Sequence, residues 1–87
     1  MNEPATRNAI SPAIVEALVE YTDRINADLS VGCVIVTGAG KGFSSGGNVK
    51  RMKDRSGLFG GSPVEIRRSY QQGIQRIPLA MYALEAP

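Results

Sequence analysis

The sequence contains no histidine and no tryptophan, and it has a single cysteine and two phenylalanines among its 87 residues. Without histidine these residues cannot supply the usual base of a serine nucleophile. Because the chain also has only one cysteine, we expect no metal site. Cys33 has no disulfide partner within the chain and lies in an apolar run. We expect a buried, unreactive thiol there, and such cysteine use favours a reducing compartment.

Long hydrophobic runs are also missing. No apolar stretch approaches the roughly 18 residues that a membrane-spanning helix needs. The opening Met1–Pro4 segment does not resemble a signal peptide. We therefore expect a cytoplasmic protein that does not contact membranes. Apolar residues make up 43% of the sequence, which is ordinary for a globular domain and argues against disorder, and the length allows one small domain.

Positive charge is scarce in the first part of the chain and abundant in the second. Residues 1–40 carry two basic and five acidic side chains, whereas residues 41–87 carry eight basic and three acidic ones. This asymmetry fits either a solvated surface or a site for a phosphorylated ligand. Few aromatic residues accompany the positive charge and no nucleic-acid-binding motif is present, so we do not expect nucleic acid as a partner.

The first half of the chain predicts a helix followed by a strand. Ser11-Pro12 supplies a capping hydroxyl and a proline at the first helical position, and apolar residues then recur at helical spacing. We expect this helix to end near Asn26–Asp28. Val31–Thr37 is a short β-branched run, typical of a strand that is buried on both faces of a layered α/β fold.

The second half of the chain predicts further helical structure. Ser62-Pro63-Val64-Glu65 has the pattern of a capping box, in which the serine and the glutamate satisfy each other's free backbone amides. Apolar residues continue at helical spacing as far as Leu84. Pro78 interrupts that pattern, and we expect a kink or a meeting of two helices there.

The Gly38–Asn48 segment holds five of the ten glycines and follows the predicted strand directly. So many glycines indicate positive φ angles or close approach of a ligand to the main chain. A phosphate-binding P-loop fits poorly because Lys41 is followed by glycine instead of serine or threonine. A dinucleotide-binding turn fits poorly as well, because Phe43 or Ser45 stands where its third glycine is required.

A nucleophile elbow is a further interpretation of the same turn. Gly42–Gly46 matches the Gly-x-Ser-x-Gly pattern after a strand, with Ser44 as the attacking residue. That chemistry requires a base, which these residues do not supply and which only another part of a longer protein could provide. The nucleophile-elbow interpretation therefore remains an alternative at this point.

A fourth interpretation comes from resemblance to a known family. Asn2–Ser11 is similar to the opening Asn-x-Pro…Asn-Ala-[Leu/Ile]-[Ser/Thr] segment of the crotonase superfamily, the enoyl-CoA hydratases and isomerases. Val34–Gly38 followed by Phe43–Lys50 resembles the first signature of that family. Ala83–Pro87 resembles the end of the helix before its second signature. These motifs follow the family's order and spacing over nearly the whole chain.

The resemblance implies an α/β fold, the crotonase-like ββα spiral. Residues 1–87 would form the N-terminal part of one such domain, without its opening strand and its C-terminal two thirds. The remainder of a parent chain would then be the first partner. Family members assemble as trimers, often paired into hexamers, and we expect a homotrimer or hexamer here.

The resemblance also implies a chemistry. Family members stabilise the enolate of an acyl-CoA thioester with two backbone N–H groups, an oxyanion hole. By the motif, the first donor is the N–H of Ser45, and Ser45, Gly46, Gly47 and Asn48 contact the coenzyme A moiety through main-chain groups. Arg7 lies where the family often has a basic residue near the phosphates. Asn48 replaces the more common aspartate, which puts in doubt any contact that needs a carboxylate.

The implied activity is that of an enoyl-CoA hydratase or isomerase, a lyase or isomerase of fatty acid metabolism. Coenzyme A is part of the substrate, and no separate cofactor is expected. The second donor and the catalytic acids would lie outside residues 1–87, because Glu65 and Glu85 do not match their positions. The alternative is a non-catalytic CoA-binding or oligomerisation fragment.

Overall fold

The computed structural model describes all residues, 1–87, and forms four α-helices with no β-strand. The helices are α1 (Pro12–Asn26), α2 (Val49–Asp54), α3 (Pro63–Gln72) and α4 (Arg76–Ala83), with single 3₁₀ turns at Pro4–Thr6 and Gly57–Phe59. Extended and turn segments connect them. None of the helices combines the length and the apolar character that crossing a membrane requires.

Helix α1 begins and ends where the sequence predicts. The Ser11 hydroxyl oxygen accepts the N–H of Ile14 at 3.2 Å, and Pro12 occupies the first helical position. Ile14 and its neighbour Val15 are buried, and they form most of the small apolar core together with Ala9. Tyr21, which shares the predicted apolar face, is 55% exposed, so only part of that face is covered.

Helix α4 packs against α1 and is fixed there by polar contacts at both ends. The Arg76 guanidinium pairs with the Glu16 carboxylate through both of its terminal nitrogens, and that hydrogen bond is the main reason why the pKa of Glu16 lies below its ordinary value. At the other end, the Asn26 side chain donates to the Ala83 carbonyl at 2.9 Å and accepts the Glu85 N–H at 3.0 Å. These contacts join residues nearly 60 positions apart in sequence.

The second half contains two helices, as predicted, but they meet before the proline. The capping box of α3 is confirmed: Ser62 accepts the Glu65 N–H at 3.3 Å, and the Glu65 carboxylate accepts the Ser62 N–H at 2.7 Å. The chain breaks at Gly73 and not at Pro78. Pro78 lies in the first turn of α4, where an N–H has no helical partner in any case, so proline is tolerated.

The predicted strand at Val31–Thr37 is wrong for this structure. The segment is extended, but it has only isolated hydrogen bonds, such as the Val34 N–H to the Pro87 carbonyl at 2.8 Å and the N-terminal ammonium to the Thr37 carbonyl at 2.8 Å. A ladder requires a neighbouring strand over several residues, and these residues provide none. Cys33 is consequently exposed, so its predicted burial is also wrong.

The resulting molecule is flat and thinly packed. It measures 44 × 31 × 15 Å, with a radius of gyration of 14.3 Å, compared with about 12 Å for a compact domain of this length. Only five residues are buried, and two of these, Asn8 and Thr22, are polar. The α/β spiral implied by the resemblance is therefore not formed by these residues, although the turn at Gly38–Asn48 is well defined by the hydrogen bonds described next.

Candidate functional site

The glycine-rich turn folds back on the entry segment that precedes α1. The N–H of Ser45 donates to the Arg7 carbonyl at 2.9 Å, and the N–H of Ile10 donates to the Gly46 carbonyl at 2.8 Å. Gly46 has a φ of 77°, in the left-handed region that glycine adopts without strain. Residues 7–10 and 45–46 therefore lie side by side and fix the path of the turn.

Gly38 shows why the start of the turn has no side chain. A Cβ built on Gly38 would clash with the Phe43 carbonyl oxygen and would lie 2.7 Å from Nδ2 of Asn8 and 2.8 Å from the Gly42 carbonyl oxygen. The backbone of residues 42–43 and the buried side chain of Asn8 thus converge on this position. Close approach of the main chain, rather than an unusual φ, accounts for this glycine.

The backbone amides of the turn differ in whether they have partners. The Ser45 N–H is bound to the Arg7 carbonyl, and the Gly46 N–H donates to the Ser44 hydroxyl oxygen at 3.1 Å. The N–H groups of Gly47 and Asn48 donate to no group in the chain. The N–H of Ser45, the donor that the family resemblance implies, is therefore already hydrogen-bonded in this structure. The free donors are the N–H groups of Gly47 and Asn48.

Asn48 caps helix α2, which begins directly after the turn. Its Oδ1 accepts the Arg51 N–H at 3.0 Å, a contact that an aspartate would make equally well. The replacement of aspartate by asparagine therefore leaves the local cap intact. Gly47 precedes it, and a Cβ there would meet the flexible end of Met52.

Two open cavities border the turn, one beside residues 39–42 and the other beside Asn48. One, of about 550 Å³, is lined by Pro4, Arg7, Ala39, Gly40, Lys41 and Gly42. It brings the predicted cation Arg7 together with Lys41, and both side chains are exposed. The other, of about 400 Å³, is mainly apolar; among the residues that line it are Ala9, Ile10, Asn48, Arg51, Leu58 and Phe59.

Ser44 does not have the environment of an activated nucleophile. Its hydroxyl donates to the Asn8 carbonyl at 2.7 Å and accepts the Gly46 N–H, so both functions are structural. A nucleophilic serine needs its proton taken by a base, which neither of these partners can do. The nucleophile-elbow interpretation loses its support from the local geometry.

Asn8 is the site residue that sequence reasoning overlooked. It is completely buried, and its side chain donates to the carbonyls of Ala39 and Gly42, which are 31 and 34 positions away in the sequence. Its place within the Asn2–Ser11 motif was the only available signal. Local propensity contains no information about such distant side-chain to backbone contacts.

The sequence profile of the enoyl-CoA hydratase/isomerase family matches residues 1–71, which include the entry segment, α1 and the whole turn. The chain belongs to the enoyl-CoA hydratase/isomerase family. A crotonase-family domain is thereby implied, even though these residues by themselves form no strands. The predicted family resemblance is confirmed.

Individual relatives agree with the family assignment. The chain is 42% identical over 50 residues to an enoyl-CoA hydratase of Mycobacterium tuberculosis, a match that covers 58% of this chain and 19% of that protein. It is 39% identical over 49 residues to a putative enoyl-CoA hydratase of Thermus thermophilus, covering 56% of this chain and 19% of that protein.

A relative whose name states a different activity matches as well. A hydroxycinnamoyl-CoA hydratase-lyase of Pseudomonas fluorescens is 30% identical over 50 residues, covering 58% of this chain and 18% of that protein. The matches thus span about a fifth of the length of these curated relatives. No solved structure matches the chain significantly.

Proposed function

We propose that this chain supplies the thioester-binding turn of an acyl-CoA hydratase or isomerase. The observation that carries the proposal is the folded turn itself, which is fixed by hydrogen bonds to residues 7–10 and presents backbone amides without partners. Preorganised donors of this kind stabilise the negative charge that develops on a thioester oxygen as an enolate forms. Family membership supports the same chemistry.

The free amide of Gly47 is the better candidate for the oxyanion donor. Ser45, which the resemblance implies, would first have to release the Arg7 carbonyl, whereas the Gly47 N–H requires no such rearrangement. A donor that is already free and fixed stabilises a developing charge without reorganisation. Ser45 stays a prediction, and the two amides can be distinguished directly.

The surroundings of the turn suit the parts of a CoA thioester. Arg7 and Lys41 line the 550 Å³ cavity and would attract the phosphate groups. The 400 Å³ cavity, with Ile10, Leu58 and Phe59 in its wall, offers apolar surface for the pantetheine or acyl part. The substrate would then cross the turn at Gly46–Asn48, between the two cavities.

Turnover would require groups that these residues do not supply. Glu65 is engaged in the α3 capping box, and Glu85 is exposed at the end of α4. We therefore expect the 87-residue chain to bind an acyl-CoA without hydrating it. Catalysis, the second donor and assembly into trimers or hexamers would belong to a longer protein.

A second candidate function is a CoA-binding or assembly module that never catalyses. The observation in its favour is the set of large apolar side chains left open to solvent, among them Leu29 at 96%, Ile35 at 85% and Tyr82 at 93% exposure. Such surfaces are usually covered by another part of a protein or by another chain.

Equilibrium binding of crotonyl-CoA, free CoA and DNA tests the proposal. We expect crotonyl-CoA to bind roughly three- to tenfold more tightly than CoA, the effect of one added hydrogen bond. DNA should bind weakly and only at low salt. Equal affinity for CoA and crotonyl-CoA, or DNA binding that resists salt, would contradict the proposal; hydration of crotonyl-CoA by the pure chain would contradict the expected lack of turnover.

A further inference from the structure

Asn8 is a polar residue with no exposed surface, and every polar group of its side chain is used. Its Oδ1 accepts the Glu3 N–H at 2.8 Å, while its Nδ2 donates to the carbonyl oxygens of Ala39 at 2.9 Å and Gly42 at 3.0 Å. A buried polar group is tolerated only when it is hydrogen-bonded in this way. The side chain therefore joins the entry segment to the first arm of the turn, residues 39–42.

The main chain of Asn8 contacts the second arm of the turn, residues 44–46. Its carbonyl oxygen accepts the Ser44 hydroxyl at 2.7 Å, and the Ser44 oxygen in turn accepts the Gly46 N–H at 3.1 Å. A relay of two hydrogen bonds thus runs from Asn8 to the residue next to Gly47. The two arms of the turn are held from one buried position.

Asparagine meets three requirements at this position that no other residue meets together. Its φ is 55°, a left-handed value that asparagine tolerates better than most residues. Its amide accepts one hydrogen bond and donates two in the observed directions. Aspartate would keep the acceptor but turn an oxygen towards two carbonyl oxygens, and glycine would keep the backbone but lose every side-chain bond.

We propose that Asn8 is a positioning residue for the thioester-binding turn. It touches no substrate; it fixes the carbonyls of residues 39 and 42 and, through Ser44, the amide of Gly46, and so sets the direction of the neighbouring free amides. The link to thioester binding rests on the proposed function, whereas the effect on the turn can be measured without any ligand.

Amide hydrogen exchange tests the effect on the turn. In Asn8→Asp and Asn8→Gly we expect exchange at Ser45 and Gly46 to rise roughly ten- to hundredfold, because a buried hydrogen-bonded brace is lost. Exchange at Leu18 in α1 should stay unchanged. Unchanged exchange at Gly46, or an equal rise at Leu18, would overturn the proposal.

Asn26→Asp is the matched control. Asn26 also donates to a carbonyl, that of Ala83, and accepts an N–H, that of Glu85, so the same chemical change is made far from the turn. We expect it to accelerate exchange at Glu85 and to leave Gly46 unaffected. If it accelerates Gly46 as much as Asn8→Asp does, the effect is global and Asn8 has no special role.

Ser44→Ala keeps the proposal testable if both Asn8 variants fail to fold. It removes only the relay to Gly46 and leaves the buried side chain of Asn8 in place. Exchange at Gly46 should rise roughly tenfold while Leu18 stays protected. Unchanged exchange at Gly46 would overturn the proposal that Asn8 positions this amide through Ser44.

Ligand selectivity tests the link to thioester binding. In Asn8→Gly the ratio of the Kd for CoA to the Kd for crotonyl-CoA should fall towards one, while the Kd for CoA itself stays within about twofold, because a loss of one hydrogen bond to the thioester is confined to that group. A merely structural role would weaken both ligands equally and overturn the proposal. If the unmodified chain shows no preference, the proposed function fails, and the exchange data alone decide whether Asn8 holds the turn.

Discussion

The backbone N–H of Ser45 donates to the carbonyl oxygen of Arg7 at 2.9 Å, and this hydrogen bond joins the two segments to which the family resemblance assigns substrate contacts. Both partners are main-chain groups, so substitution of either side chain leaves the bond in place. Proline at position 45 is the exception, because it has no N–H. The geometry therefore separates what the backbone of the turn does from what its side chains do.

The turn amides should respond differently to a thioester. On titration with crotonyl-CoA, followed by ¹⁵N–¹H NMR, we expect the Gly47 amide proton to move downfield and the Ser45 amide to keep its position, because only the first is free. Free CoA is the control, since it has no thioester carbonyl. A shift at Ser45 alone would make Ser45 the donor after all.

Substitutions at Ser45 should distinguish the contribution of its hydroxyl to ligand binding from that of its backbone amide. The hydroxyl donates only to the Thr6 carbonyl at 3.2 Å on the exposed surface, so Ser45→Ala should bind crotonyl-CoA within about twofold of the unmodified chain. Ser45→Pro removes the bond to Arg7 and should loosen the turn. Isothermal titration with both variants provides the comparison, and a large loss in Ser45→Ala would assign the hydroxyl a direct role.

Gly38→Ala should destabilise the chain because the added methyl group has no room beside Asn8 and the Gly42 carbonyl. We expect the free energy of unfolding to fall by about 1–3 kcal/mol, the usual effect of overpacking. Gly42→Ala is the control, since nothing lies within 4 Å of its Cβ and its φ is not positive. Urea denaturation followed by circular dichroism measures both, and equal effects would argue against the convergence at Gly38.

The contact between α1 and α4 should weaken in acid. The Arg76 hydrogen bond holds the pKa of Glu16 below its ordinary value, so this contribution to stability is complete above the ordinary pKa and is lost as the pH falls through the lowered one. Arg76→Gln should raise the pKa of Glu16 towards the usual glutamate range in a ¹³C NMR titration. Arg24→Gln, which alters the separate pair with Glu20, should leave the Glu16 titration unchanged.

The capping box of α3 should contribute measurably to stability. Ser62→Ala removes the hydrogen bond to the Glu65 N–H and should lower the free energy of unfolding by about 1 kcal/mol. Ser56→Ala is the matched control, because Ser56 precedes a 3₁₀ turn without a side-chain capping bond. Amide exchange at Glu65 should rise in the first variant only; protection that survives Ser62→Ala would contradict the assignment.

The helix starts were predictable because their signals are local. A hydroxyl, a proline and, at α3, a glutamate lie within four residues of each start, and the structure forms the expected bonds at Ser11 and Ser62. The predicted break at Pro78 is wrong because proline interrupts a helix only in its interior, and Pro78 lies in the first turn of α4. Whether Pro78 lies in a first turn depends on where Gly73 ends the preceding helix.

The strand and the buried cysteine were wrong for a different reason. The β-branched composition of Val31–Thr37 reports a preference for extended backbone, which the structure has. Burial and pairing depend on neighbours, and no local pattern supplies them. Asn8 escaped prediction likewise, since its partners Ala39 and Gly42 are brought to it only by the folded turn.

The extended Val31–Thr37 segment has a consequence for the behaviour of concentrated solutions. Five of its seven residues are β-branched, none is charged, and most of its backbone amides have no partner. An open edge of this kind is a template for another copy of itself, and its composition is typical of segments that aggregate through cross-β pairing. Lysine in place of Ile35, which is 85% exposed, would act as a gatekeeper by placing charges opposite one another in every such stack. We therefore expect aggregation of the chain to depend on this short segment, which leads directly into the glycine turn.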